Sequence, residues 1–449
     1  MAALNANTTA PNNTAVGCQS LYTNTTGQDN TATGYFSLNL NTTGTGNTAL
    51  GRSPLQSNTT GGSNTAVGYL ALVLNTTASN NTAVGYQAGY SNTTGVVTAF
   101  GYQAGYSHTT NGTFQNTFVG NQSGYAVTTG AGHTFIGHNA GKAFTTTNWS
   151  TAVGYGALQA ATGSTNTAVG ASSLQASSNT GDANSACGYS TLSSNTSGSN
   201  NTAIGTSALQ NNTTANNNTA VGYQAMYSAN TGGFSVAVGH QALYSMAGVG
   251  GDVCNVAVGY QAGYGYTTGY NSVFIGHQAG YNGTANSTGL GVMYIGYRAS
   301  ASSSSAGGEM VIGCGGAQTG KGTSTGFISP NGGGVYQGNN SSSWSTTSDQ
   351  RLKKNIVDNN VGLEKLTQIQ VRNFEYRVES EITELPTHAA IKKEGVQLGV
   401  IAQELQAVLP DCVKHESTGV LSVDTDNLTW YLISAVKQLQ AEIDQLKGN

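Results

Sequence analysis

The chain has 449 residues, but only 8% of them are charged, and 15 Lys+Arg against 19 Asp+Glu leave a formal net charge of -4. No basic surface exists to neutralise phosphates, so nucleic acid is excluded as a partner. No apolar run reaches the roughly 18 residues of a membrane span, and Met1 to Pro11 lacks the basic and apolar regions of a secretory leader, so neither membrane insertion nor Sec export is expected.

The low average hides a step. Eight charged residues precede Ser348, four of each sign, and the other 26 of the 34 lie in the last 102 positions. The five cysteines (Cys18, Cys187, Cys254, Cys314, Cys412) have no metal-ligand spacing and read as free thiols of a chain folded in a reducing cytosol. No metal or cofactor site is expected.

From the N-terminus the chain repeats itself. The pattern Asn-Thr-Ala-Val-Gly-Tyr-Gln-Ala recurs in eighteen copies, from Gly17 to Gly313, with a dominant spacing of 17 residues and outliers from 16 to 20. The residue before the glycine is apolar in every copy except Thr33, as at Val16, Leu50, Phe100 and Ile312. Three residues after it stands a small residue (Ala71, Ala88, Ala225), followed mostly by Leu or Gly (Leu72, Leu209, Gly89). Two buried positions separated by a flexible glycine predict two short strands per repeat, joined by Asn-Thr-Thr-Gly turns. Glycine and β-branched residues are too dense for helix, and the conserved phase of the apolar position argues against disorder. The fold class is therefore mainly β: a β-solenoid or β-roll shaft over 1–319, a Gly/Ser/Thr-rich linker over 320–347, and a small α+β domain over 348–449. At about 4.8 Å per coil, the stack would be on the order of 80 Å long.

Tyrosine follows the repeat glycine in nine copies, and His138, His240 and His277 in three others. An aromatic column supporting the stack is one reading, and an exposed array for stacking on sugar rings is the other. The three histidines are too dispersed for a metal site. Asn-x-Thr triplets at Asn7, Asn24, Asn41 and Asn58 match the glycosylation sequon but read as turn and strand residues. Calcium-binding nonapeptide rolls are excluded by the scarcity of Asp. The paired threonines sit in turns, which makes ice binding a remote alternative.

Past the linker, Val371 to Arg377 alternates as a strand does, and Leu398 to Ile401 is an apolar strand running into an amphipathic helix ended near Pro410. Val420 to Val423 suggests another strand. Leu428, Leu432, Val436, Leu439, Ile443 and Leu446 then form a heptad-like stripe on a terminal helix. Two heptads make a weak zipper, suited to registering chains that other surfaces also hold.

Three motifs in this region, Ser348-Asp349-x-Arg351-Leu352-Lys353-x-Asn355-Ile356, Gly399-Val400-Ile401-Ala402-Gln403-Glu404-Leu405 and Gly419-Val420-Leu421-Ser422-Val423-Asp424, resemble the intramolecular chaperone domain of phage endosialidases, tail spikes and neck appendages. The shaft resembles the β-roll heads of trimeric autotransporter adhesins and glycine-rich phage fibre shafts. The resemblance implies a domain that trimerises, templates the β-rich segment before it, and removes itself through a Ser/Lys dyad. Carried over, the nucleophile is Ser348, the general base Lys353 and the scissile bond Ser348-Asp349, with Arg351, Asn355, Gln403 and Glu404 as support. A serine attacking its own carbonyl would close a four-membered ring, whereas attack on the Thr347 carbonyl closes a five-membered one. Attack by a neighbouring chain's serine also remains open. Asp424-Thr425-Asp426 stands where the family often has Asp-Tyr, and the repeats begin too early for a glycosidase domain ahead of them.

The expected protein is a homotrimeric phage tail fibre, located in the virion and folded in the host cytoplasm. Its expected partners are other virion tail proteins and a host cell-surface receptor, with glycan as one candidate class. A bacterial trimeric surface adhesin is the rival.

Overall fold

The computed structural model describes residues 2–109, 115–247, 251–281, 288–313, 316–329, 335–337, 344–345, 350–382, 393–415 and 420–448. It divides into two compact units, Met1–Thr347 and Ser348–Asn449.

The first unit is a solenoid with one strand in most coils, not two, although Gly232–Gly233 and Gly251–Asp252 add a short second parallel pair. Strands of mostly three residues, such as Thr48–Leu50, Thr65–Val67 and Thr82–Val84, pair in parallel with the same strand one coil later: Thr65 lies opposite Thr82, Ala66 opposite Ala83 and Val67 opposite Val84. The stack runs from Thr14–Val16 to Gly326–Ser329, where an antiparallel pairing with Val335–Gln337 ends it. The first residues past 319 thus still belong to the solenoid.

The expected second strand is replaced by turns. Residues two and four places after the repeat glycine take left-handed backbone angles, as at Leu70 (φ 56), Leu72 (φ 49) and Gln87 (φ 54). Such angles cost an L-residue roughly 1 to 2 kcal/mol, so the wall must be compensated. Hydrogen bonds between coils do this: Leu72 N donates to Ala88 O at 3.0 Å and Thr76 N to Thr93 O at 3.1 Å, off the sheet. The repeat glycine itself is a matter of space and angle. Gly68 has φ +131, and a Cβ there would lie 2.5 Å from the carbonyl oxygen of Gly85 in the next coil.

The core contains a different set of residues from that expected. The alanine two places before the glycine points inward and is fully buried at Ala49, Ala66, Ala83 and Ala203. The apolar residue next to the glycine points outward with the threonine before it: Val16 is 58% exposed and Leu50 48%. Strand pleat explains the correction, since a three-residue strand with one buried centre must expose both flanks. The small residue three after the glycine and its successor are buried as expected, at Ala71 and Leu72.

Core volume is traded between strand and turn. In nine coils whose inward strand residue is Ala the turn supplies Leu, as in the pairs Ala66/Leu72 and Ala203/Leu209, whereas Ala83, Ala99 and Ala257 are followed by Gly89, Gly105 and Gly263, which lie against Leu or Phe of a neighbouring coil. Where the inward residue is Phe, the turn supplies Gly: a Cβ on Gly141 would collide with the Phe135 ring, and one on Gly280 with Phe274.

The asparagines are not mere turn residues. Two columns are buried along the interior. Asn41 Nδ2 donates to Asn24 Oδ1 (2.7 Å), Asn58 to Asn41 (2.8 Å) and Asn75 to Asn58 (2.8 Å), while each also bonds its own coil's backbone, as Asn41 does to Gly44 O. In the second column Asn64 donates to Asn47 and Asn81 to Asn64. Along an unbroken column the amides are thereby paired, which removes the desolvation cost of about 1 to 3 kcal/mol per orphaned group. Where a column stops, an atom is stranded: Ala229 follows Asn212, and Asn212 Oδ1 has no partner. The sequons at Asn24, Asn41 and Asn58 are fully buried and closed to glycosylation.

The second unit is a small α+β region. Arg372–Phe374 pairs antiparallel with Gln397–Gly399, and Val413–His415 with Leu421–Val423. Helix α1 spans Leu363–Leu366, α2 Ala402–Val408 and α3 Thr425–Lys447. Leu405, Leu409, Cys412 and Val413 form its core, with Leu428 and Tyr431 packed against them. No helix among the described residues is long and apolar enough to cross a membrane.

Candidate functional site

The proposed catalytic pair is only half visible. Ser348 and Asp349 lie outside the described residues, as do Thr347 and Cys314. A short 3-10 turn, Gln350–Leu352, follows them, and Lys353 N donates to Gln350 O at 3.1 Å. Arg351, Lys353, Lys354 and Asn355 are all exposed on the single chain, and Asn355 sits at φ 54. Asparagine is among the few side chains that tolerate that angle.

Glu404 lies at the start of α2. There it receives a two-pronged ion pair from Arg372 on the neighbouring strand, with Nε and Nη2 each 3.1 Å from its carboxylate oxygens. It clamps α2 to the Arg372–Phe374 hairpin. Gln403 beside it is exposed.

Helix α3 begins on a strong cap. The Asp424 carboxylate accepts from the backbone N–H groups of Asp426 (3.1 Å) and Asn427 (3.3 Å), and Lys414 Nζ lies 2.6 Å away. The Lys414 hydrogen bond, then the backbone donors, hold the Asp424 carboxyl below its usual range. Beyond the first turn the helix packs on one side only, with Ala435 buried against Gly362 and Gln438 Oε1 accepting from Leu363 N at 2.6 Å, while Leu432, Val436, Leu439 and Leu446 on the stripe are exposed and Leu428 is tied into the core. Hence most of the heptad stripe faces away from its own unit.

On the shaft, the residues after the repeat glycine form a column of stacked rings. Tyr69, Tyr86 and Tyr102 lie 5.2 Å apart, and Tyr223, His240, Tyr260, His277 and Tyr297 continue the pattern at 4.9 to 5.3 Å. Arg52 fills one place, its guanidinium 5.8 Å from the Tyr35 ring centre and 5.5 Å from that of Tyr69. A second column, missed in the sequence, stands five residues after the glycine: Tyr90, Tyr106 and Tyr125, then Tyr227, Tyr244 and Tyr264. Its signal was the Gly-Tyr-Gln-Ala-Gly-Tyr spacing. Burial, and then neighbouring phenols, push the Tyr106 and Tyr244 hydroxyls above their ordinary range. Between the two columns runs a third, of glutamine amides: Gln103 donates to Gln87 at 2.9 Å and Gln122 to Gln103 at 3.0 Å. Where rings follow one another without a break each covers its neighbour's face, so there mainly ring edges meet solvent.

No group of three or more His, Cys, Asp or Glu among the described residues is arranged to hold a metal. No solved structure matches the chain. One relative, the long tail fiber protein Gp37 of Enterobacteria phage Ox2, is 30% identical over 125 residues, covering 27% of this chain and 44% of that protein. The match spans less than half of the relative's length. Residues 348–414 match the sequence family described as the chaperone of endosialidase, so the segment after the repeats carries that family's sequence in a chain similar to a phage long tail fibre protein.

Proposed function

We propose that the protein is the receptor-binding shaft of a phage tail fibre, assembled as a homotrimer by its C-terminal region, which then cleaves itself off. The observation that carries the reading is the outward face of the solenoid sheet. A column of Val, Leu, Ile and Phe runs the length of the stack beside the threonines. Toward the C-terminal end the threonines also give way to apolar residues, at Val236, Val256, Val273, Met293 and Met310. A stripe of this length marks an interaction surface. Copies of the same chain repeat it in the same phase, and the shaft's four charges of each sign over 347 residues oppose no such approach. The unpartnered stripe of α3 is a second such surface, positioned to bring chains into register.

Alignment matters because one coil closely resembles the next. A shift of one coil in a stack of near-identical strands costs little, and nonlocal parallel pairing is slow and prone to aggregation. A C-terminal clamp would start all chains together, and removal of the clamp would leave a kinetically trapped rod.

For cleavage, Lys353 in its neutral form takes the Ser348 Oγ proton, and the oxygen attacks the carbonyl carbon of the Ser348-Asp349 bond on a neighbouring chain. Collapse breaks the C–N bond, and the Asp349 amine leaves with the proton returned by Lys353. Water then hydrolyses the ester and restores the serine. A lysine becomes a base only where burial or adjacent cations disfavour its charge. Lys353 is exposed on the single chain, so the reading assigns that burial to the assembled trimer, and cleavage would wait for assembly. Intact-mass measurement tests this: wild type should split near residue 348, while Ser348→Ala and Lys353→Ala stay at the 45.7 kDa chain mass. Identical masses for wild type and Ser348→Ala would remove the dyad.

A further inference from the structure

Four consecutive coils, opened by Gly154, Gly170, Gly188 and Gly205, depart from the repeat on the same side. In the first ring column the places after Tyr155 and Tyr189 are taken by Ala171 and Thr206. In the amide column, Gly156, Ser172 and Ser190 stand where other coils have glutamine. In the second ring column, Gln159, Gln175 and Ser193 replace tyrosine.

The consequence is that two ring faces, one of Tyr155 and one of Tyr189, are left bare on either side of Ala171. Tyr155 stacks on His138 at 5.1 Å on one side only. Tyr189, between Ala171 and Thr206, makes none of the ring stacks found along the rest of the column. They are the most exposed tyrosines among the described residues, at 58% and 60%, against 47% or less for the others. Two coils separate them, roughly 9.6 Å at about 4.8 Å per coil. A ring packing at roughly 3.5 to 4 Å from each tyrosine face would fit once, with little room to spare. Beside this slot lies a groove of about 430 Å³ whose polar lining is Gln159, Gln175, Ser172, Ser177, Ser190 and Ser193, with no charged group. Gln175 Nε2 is bonded to Gln159 Oε1 at 3.0 Å, leaving further amide atoms and the hydroxyls toward the groove.

We propose that the slot over Ala171, between Tyr155 and Tyr189, binds one uncharged pyranose ring of a surface polysaccharide. Its C–H faces would pack on the two phenol rings, and its hydroxyls would meet the serine and glutamine groups. An acidic sugar finds no cation there. The proposal rests on the reading of the shaft as a receptor-binding fibre, and it names the receptor class and the place.

Ala171→Tyr is the discriminating variant. It fills the slot with the residue that nine other coils carry at that place, so it should complete the ring column without disturbing the fold. The purified full chain is tested on an array of short gluco-, galacto- and manno-oligosaccharides, and separately for adsorption to a panel of bacterial cells. Wild type should bind at least one neutral oligosaccharide. Ala171→Tyr and Tyr189→Ala should each bind it at least about tenfold more weakly, the loss of one stacking contact, while Tyr244→Phe in the intact second column changes nothing. Unchanged binding by Ala171→Tyr, or cell adsorption without any neutral-sugar binding, overturns the slot and leaves the fibre reading standing. Sugar binding without adsorption to any cell retains the slot and counts against the fibre reading.

Discussion

His108 and His133 each occupy a place that belongs to a buried asparagine column. His108 Nδ1 bonds Asn92 Oδ1 (3.2 Å) and its Nε2 accepts from Asn116 Nδ2 (2.9 Å), so the neutral tautomer protonated on Nδ1 satisfies both neighbours. His133 does the reverse, Nε2–H donating to Thr147 O (2.7 Å) while Nδ1 accepts from Ser150 N. Burial lowers both, His108 to about 4, with the charge of His133 as a further cause for His108. The unfolded chain therefore binds more protons than the fold once pH drops below the ordinary 6.5. Stability should be full above about 6.5 and fall steadily toward pH 4, His108 alone accounting for about 3 kcal/mol of the loss. Thermal unfolding across that range checks it. His108→Asn should restore the amide column and flatten the profile, and an unchanged profile would show that the imidazole is not the sensor. At this scale the repeat glycine and the small buried residue after it could be read from spacing. The inward and outward residues of the strand could not, because Thr-Ala-Val has a hydrophobic residue on either face and its alternation spans only three positions.

The coil as an element is governed by volume shared between strand centre and turn. Phe135→Ala should cost about 3 to 5 kcal/mol by leaving a cavity. Gly141→Leu should also destabilise, since its side chain would enter the Phe135 ring. Combined, the two changes recreate the Ala/Leu pairing found in nine of the eighteen coils, and the double variant should unfold closer to wild type than either single one. Additive losses in denaturant melts would contradict the exchange. The pairing was present in the sequence, as Phe two before the glycine with Gly four after it, but it emerges only when both positions are known to face one interior. In α3 the heptad stripe was legible and its lack of partners was not, because a sequence does not say which face its own domain covers.

For the whole molecule, the composition step and the division into two compact units fall at the same place, Ser348, and the first two of the three motifs lie within the family match over residues 348–414. What the sequence left open was where chains of the proposed assembly would meet, since the column before the glycine reads equally well as core until a structure turns it outward. If α3 aligns the chains, Leu432→Glu with Leu439→Glu should reduce soluble assembled protein severely, whereas Lys437→Glu on the same helix should not. Recovery of assembled protein after gel filtration measures this. The central claim, that this shaft exists as an assembly of its own copies, is tested most directly by the solution mass of the uncleaved Ser348→Ala chain in light scattering. The account predicts three times the chain mass of 45.7 kDa, and a stable particle of one chain mass would contradict it.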